Sequence, residues 1–273
     1  MLSDPHFKVL FHEQDSSKVF KNTDIKGGVV ITYRDAEKDY GEIEIYSSFE
    51  ELNSIRKKSA PKNESDSLLT IIFNQCKFNL DALYESYPEY QNIIGSNGKD
   101  KRFRNNIFEK IPLFTETKIN DDDFSVFGLI KNKRVWRYFP KRFMDLTHEN
   151  LFKWKVLVPR ANGSGAIGEV LSTPLCGYTQ SFIAIGAFNT EEECNNCLKY
   201  IQSKFARTML GILKITQDNP PETWKLVPLQ DFTENSDIDW SQSVAEIDRQ
   251  LYAKYGLDET EIDFIESHVK EMA

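Results

Sequence analysis

Apolar and polar positions fall into blocks along the chain, and the longest patterned stretch, residues 153–214, predicts a strand–loop–strand–helix unit. Lys155-Val156-Leu157-Val158-Pro159 is a β-branched apolar run closed by proline, the pattern of a strand end. The loop from Arg160 to Gly168 is small and polar, with glycines at 163, 165 and 168. Residues 181–188 (SFIAIGAF) resume strand. Thr190 then opens a helix with Glu191, Glu192 and Glu193 in its first turn, where carboxylates complement the helix dipole. Apolar residues at Cys194, Cys197, Leu198, Ile201, Phe205, Met209, Ile212 and Leu213 keep a three-to-four spacing. One long packing helix is therefore expected over 190–214.

Upstream of this unit, residues 1–22 show no clear period and read as a lead-in. Val29 to Tyr33 is a strand by β-branched content, expected to pair with the alternating run Ile43-Glu44-Ile45-Tyr46. Ser48 caps a helix through Ile55. Leu68 to Phe73 (LLTIIF) reads as a short buried strand, Leu80 to Tyr84 as a helix fragment, and Ile107-Phe108 as a helical turn. Phe124 to Ile130 and Arg134 to Phe139 form a hairpin about Lys131-Asn132-Lys133. Downstream, Trp224 to Leu229 is a short strand, Ser241 and Ser243 cap a helix to about Tyr255 that Gly256 stops, and Asp258 caps a last helix to Met272. The expected class is α/β in the mixed α+β sense: a twisted mixed or antiparallel sheet, a long packing helix and two C-terminal helices. Three segments are expected: a lead-in (1–23), a central domain (24–215) and an acidic helical segment (216–273).

Composition changes this picture little; charge distribution changes it more. Net charge is −8, which by itself disfavours a nucleic-acid binder. Residues 99–160, however, hold 15 basic and 8 acidic side chains, whereas residues 216–273 hold 4 and 14. A basic middle beside an acidic tail fits an anionic partner docked on one face, and equally fits an unevenly charged solvated surface. The hairpin interleaves Lys131, Lys133, Arg134, Arg137, Lys141 and Arg142 with Trp136, Tyr138 and Phe139, a mixture suited to phosphates and bases or to a half-buried ribbon. No apolar run approaches membrane-spanning length and no signal-peptide pattern is seen, so a cytoplasmic protein without a membrane partner is expected. Four cysteines are too few for a disulfide scaffold, and Cys194-Asn-Asn-Cys197 lies inside a helix without a second pair.

Catalytic patterns are weak. Asn219-Pro220-Pro221 is similar to the Asn-Pro-Pro-aromatic motif of adenine methyltransferases, but Glu222 replaces the aromatic residue and no glycine-rich cofactor strand precedes it. Asp100 with Glu116-Thr117-Lys118 mimics a metal-dependent nuclease motif without a strand pair to converge it. Asp121-Asp122-Asp123 lacks the spacing of a calcium loop. The chain reads as non-catalytic, with no cofactor or metal of its own.

Several stretches, in order along nearly the whole chain, carry a resemblance. They are residues 24–29 (DIKGGV), 153–173 (KWKVLVPRANGSGAIGEVLST), 179–182 (TQSF), 196–213 (NCLKYIQSKFARTMLGIL), 216–219 (TQDN), 227–240 (VPLQDFTENSDIDW) and 247–252 (IDRQLY). Together they resemble the C-terminal target recognition (specificity) region of Type II restriction-modification proteins that carry an adenine-specific DNA methyltransferase. The resemblance implies a prokaryotic chain whose partners are double-stranded DNA and the methyltransferase catalytic domain. It also implies that S-adenosylmethionine belongs to that catalytic domain and not to this chain. On that view Arg160, Asn162, Gly163, Ser164 and Gly165 are expected at base edges. Lys131, Lys133, Arg134, Arg137, Lys141, Arg142, Lys155, Lys204 and Arg207 are expected at phosphates. The rival expectations are a scaffold piece that docks on the methyltransferase through the 190–214 helix, and a nuclease remnant.

Overall fold

Three apolar runs, each bounded by turn residues, build the strands that matter most. In a computed structural model the chain is described at every residue except 1, 14, 23, 24, 26, 27, 44, 162–169, 174, 215 and 273. It divides into two units, Met1–Lys57 and Lys58–Ala273, each treated by itself.

In the first unit, β1 (Phe7–Glu13) pairs antiparallel with β2 (Val29–Arg34), placing Phe11 opposite Ile31. The stretch expected as a lead-in thus contains a strand, and β1 takes the place beside β2 expected of residues 43–46. The pairing also joins residues on either side of the expected 23/24 boundary. Phe7, Val9 and Phe11 do alternate, but Leu10 interrupts the period and the ladder shifts register there. Helix α1 (Glu50–Ser59) follows.

In the second unit, the chain passes through β3 (Ile72–Phe73), α2 (Leu80–Ser86), the one-turn α3 (Gly95–Gly98) and α4 (Ile107–Lys110). Leu68–Ile71, expected as strand, is a 3₁₀ turn whose Ser67 hydroxyl accepts from Leu69 N–H. Then come β4 (Asp123–Ile130) and β5 (Lys133–Pro140), an eight-pair hairpin. They are followed by β6 (Trp154–Pro159), β7 (Leu171–Thr173), β8 (Gly177–Tyr178) and β9 (Phe182–Phe188).

Strands β6 and β9 lie at the centre of an antiparallel sheet of order β3-β9-β6-β7. Val156, Leu157, Val158, Ile183, Ala184 and Ile185 are all buried, so both faces of the sheet are covered. Leu157, Phe182 and Ala184 join Val126, Phe127, Phe139 and Tyr178 of the second sheet, ordered β5-β4-β8, in one apolar core. Alternation along the strands sends Val156, Val158, Ile183 and Ile185 to the opposite face, where helix α5 (Glu191–Gln202) packs. Gly186 has φ +90° and the Phe188 ring lies where its Cβ would be, so only glycine fits that bend in β9.

The long helix expected over 190–214 is two helices, α5 and α6 (Lys204–Leu213). Ser203 between them is extended at ψ 148°, and its hydroxyl accepts from Ala206 N–H at 3.1 Å. The carboxylate of Asp248 accepts from the N–H groups of Lys204 (3.0 Å) and Phe205 (2.9 Å), completing the new helix start.

Asp248 lies on α7 (Val244–Lys254), which α8 (Glu259–His268) follows. Both C-terminal helices start at the expected caps, α8 ending at His268 and not at Met272, and their acidic segment is woven into the second unit. Lys58 pairs with Glu261 at 2.6 Å, Leu68 N–H donates to Val227 O, and the Tyr200 hydroxyl donates to Pro228 O. The expected strand at 224–229 is instead a 3₁₀ turn, Pro221–Trp224, running into a bridge between Ser67 and Pro228. Among the described residues no helix is long and apolar enough to cross a membrane.

Candidate nucleic-acid interface

The end of β6, the start of β9 and the hairpin tip converge on one cleft of about 640 Å³. Proline closes β6, and the main chain beyond it is pinned on two sides. Arg160 N–H donates to Ser181 O at 2.9 Å, and Arg160 O accepts from Asn219 N–H at 2.7 Å. Its guanidinium donates to Asn74 Oδ1 at 3.3 Å and lies 3.6 Å from the Asp218 carboxylate. Across the cleft, Lys131 and Asn132 form the hairpin turn at φ 49° and 63°. These left-handed values match the twist of the flanking strands without a glycine. That turn sets Asn132 and the exposed Arg134 into the cleft wall.

Asn105, Gln180 and Ser181 complete the polar lining. Gln180 is fixed through its backbone, whose N–H donates to Phe103 O at 2.7 Å. Among the described residues, the side-chain amides of Asn105, Asn132 and Gln180 and the Ser181 hydroxyl have no hydrogen-bond partner. The cleft is therefore lined by two guanidiniums and by four polar side chains without a partner among the described residues. Sequence reasoning gave none of Asn105, Asn132, Gln180 or Ser181 a role, because they come from segments far apart in the chain.

The expected site residues separate into several groups. Arg160 and Arg134 meet in the cleft, with Lys131 and Lys133 exposed at its hairpin edge. Asn162, Gly163, Ser164 and Gly165 lie outside the described residues. Arg142 is exposed with its guanidinium 4.6 Å from the Phe143 ring, and Lys141 sits 4.6 Å over Phe152. Arg137 is largely covered and pairs with Glu116 at 3.0 Å.

Three expected phosphate contacts are corrected. Lys155 is fully buried, its ammonium donating to Cys176 O at 2.9 Å and Leu151 O at 3.2 Å. Burial lowers its pKa, and no phosphate can reach it. Lys204 pairs with Glu266 of α8. Arg207 donates to the carbonyls of Gln202, Ser203 and Lys270. Both cations fasten the C-terminal segment, with their donors turned inward.

The catalytic patterns resolve into structural roles. Asp100 is held by Arg102 and Arg104, while Glu116 pairs with Arg137. Among the described residues, no three histidine, cysteine, aspartate or glutamate side chains gather as a metal site. Asn219 of the Asn-Pro-Pro run is fully buried, its Oδ1 accepting from Thr223 Oγ1 and Trp224 Nε1, each at 3.1 Å. The four cysteines are free and buried. Neither a family model nor a curated protein matches the chain.

Proposed function

We propose that this chain is a DNA-recognition domain of a restriction-modification system. It would hold and select a duplex site for an adenine-specific methyltransferase whose catalytic domain, with its S-adenosylmethionine, lies outside the chain. The observation that carries this reading is the cleft, in which Arg134 and Arg160 flank unpartnered Asn105, Asn132 and Gln180. Arginine matches guanine edges and phosphates, and asparagine or glutamine matches adenine. These amides reach solvent, so a base edge can take the place of their water without breaking a bond within the protein. The exposed Lys131 and Lys133 beside the cleft supply charge for the phosphate backbone. Titration of the chain with duplex DNA at low salt tests the reading directly. Binding that falls steeply with salt is expected, and absence of binding at low salt would sink it.

A second reading, docking on another protein, is favoured by the β1–β2 ribbon. There Leu10, Phe11, Val30 and Ile31 are each more than two-fifths exposed. Phe11 and Ile31, paired across the ribbon, share one face, and such exposed apolar side chains suit a protein partner, here the methyltransferase body. Sizing the chain with the catalytic domain tests it, since co-elution lost on Phe11→Asp with Ile31→Asp would support this face.

A further inference from the structure

Beside the cleft, one buried carboxylate holds two arginines that face solvent. The turn α3 delivers Asp100, whose N–H donates to Gly95 O at 3.0 Å. Its side chain is only 4 % exposed, while those of Arg102 and Arg104 are 43 % and 42 % exposed. Arg102 makes a two-pronged contact, with Nε on Oδ1 at 2.8 Å and Nη2 on Oδ2 at 3.1 Å. Its backbone N–H reaches the same carboxylate at 3.2 Å. Arg104 then adds its own guanidinium to Oδ2.

The backbone under this pair is fixed. Phe103 is fully buried, its N–H donating to Cys76 O at 2.9 Å and its carbonyl accepting from Gln180 N–H. Lys101 O accepts from Phe78 N–H at 2.7 Å, and Lys77 bridges Arg102 across the ladder. Burying Phe103 sends Arg102 and Arg104 to the other face, and the next residue, Asn105, lines the cleft. Lys77, Lys99 and Lys101 nearby in the chain are exposed, with Asp81 and Asp145 lining a pocket beside Lys101.

A purely structural role explains only part of this arrangement. Arg102 alone satisfies both oxygens of Asp100, so the carboxylate does not need Arg104 to be paired. The second arginine adds charge, and the N–H groups it does not give to Asp100 are held in a fixed geometry. Guanidiniums so placed lose little freedom when they grip a tetrahedral anion, and their remaining N–H groups suit two of its oxygens. We infer that Arg102 and Arg104 form a preset contact for a backbone phosphate of the DNA at the margin of the cleft, with Asp100 as the positioning residue. This rests on the reading of the cleft as a DNA interface. Here the contact supplies affinity and register, while the cleft supplies sequence discrimination.

The test is fluorescence anisotropy of the full chain with a mixed-sequence duplex, titrated across a range of salt. Arg104→Ala is expected to weaken binding about three- to tenfold and to reduce the slope of log affinity against log salt by about 1, alike for every duplex. Arg104→Lys, which keeps the charge but not the fork, should restore the slope and only part of the affinity. An unchanged melting temperature in Arg104→Ala would show that the loss is not one of folding. If the wild-type chain binds duplex and Arg104→Ala binds it with the same affinity and slope, the phosphate contact is wrong while the DNA reading stands. A loss confined to particular sequences would also overturn it, by making Arg104 a base reader. If the wild-type chain binds no duplex, both fall together.

Discussion

The main-chain N–H of Asn219 donates to the carbonyl of Arg160 at 2.7 Å, so the cleft arginine hangs from the Asn-Pro-Pro run. The same asparagine's Nδ2 donates to Pro159 O at 3.4 Å, and its Oδ1 serves Thr223 and the buried indole of Trp224. The Asn-Pro-Pro run here fixes where a strand ends. Asn219→Ala would leave the Trp224 N–H buried without an acceptor. That change should cost about 2–3 kcal/mol of stability, read as a lower urea midpoint at unchanged slope. A loss under about 0.5 kcal/mol would mean the network does not bear on the fold.

Asp248 makes the break between α5 and α6 sensitive to pH. Desolvation, the largest influence, pushes its pKa up to about 6 from an ordinary 3.8, against the opposing pull of the Phe205 and Lys204 N–H bonds. A raised folded pKa means the folded state binds the proton more tightly than the unfolded chain. The contribution to stability is therefore full below about pH 4 and is lost as pH rises through about 6. Its size is on the order of 3 kcal/mol. Asp248→Asn should remove this component. The stability difference between wild type and variant, measured by urea unfolding at pH 4 to 7, should drift in the variant's favour as pH rises. A difference flat in pH would exclude Asp248 as the titrating group.

How much of this could be read beforehand varied with how local the cause was. The β4–β5 hairpin, the starts of α7 and α8 and the β6 and β9 strands follow from alternation, caps and apolar runs within a few residues of each element. The break at Ser203 does not, because the apolar spacing continues across it and the deciding acceptor, Asp248, arrives from another helix. Lys155 sits in an apolar strand where composition cannot say whether its ammonium escapes to solvent or finds carbonyls inside. The cleft is the extreme case. Arg160 and the hairpin cations drew notice by charge, whereas Asn105 and Gln180 are ordinary polar residues until folding brings Phe103 and Gln180 together.

The cysteines should behave as core residues. Burial pushes the Cys76 thiol up to about 12 and the Cys194 thiol up to about 11, and all four are buried. A thiol that is both protonated and enclosed is a poor nucleophile. Ellman's reagent should therefore titrate almost no thiol in the native protein at pH 8, and all four in denaturant. Rapid labelling of Cys194 and Cys197 in the native state would point instead to an open, reactive pair on α5.

Lys155 and the cleft amides give opposite expectations for DNA binding, and together they test which positive charges matter. Lys155→Met removes a charge from the expected phosphate set, yet its ammonium is enclosed by the Leu151 and Cys176 carbonyls. DNA affinity and its salt slope should stay as in the wild type wherever the variant is folded. Gln180→Ala and Asn105→Ala remove no charge, so electrostatic attraction to any duplex should survive. What should be lost is discrimination, about 1–3 kcal/mol at one base pair of the site for each residue. Selection from a random duplex pool would show this as one position of the selected sequence becoming degenerate. Lys133→Ala is the contrasting case, expected to weaken all duplexes alike and lower the salt slope by about 1. If Gln180→Ala weakens all sequences equally, the cleft grips the backbone and the base-reading groups must be sought elsewhere.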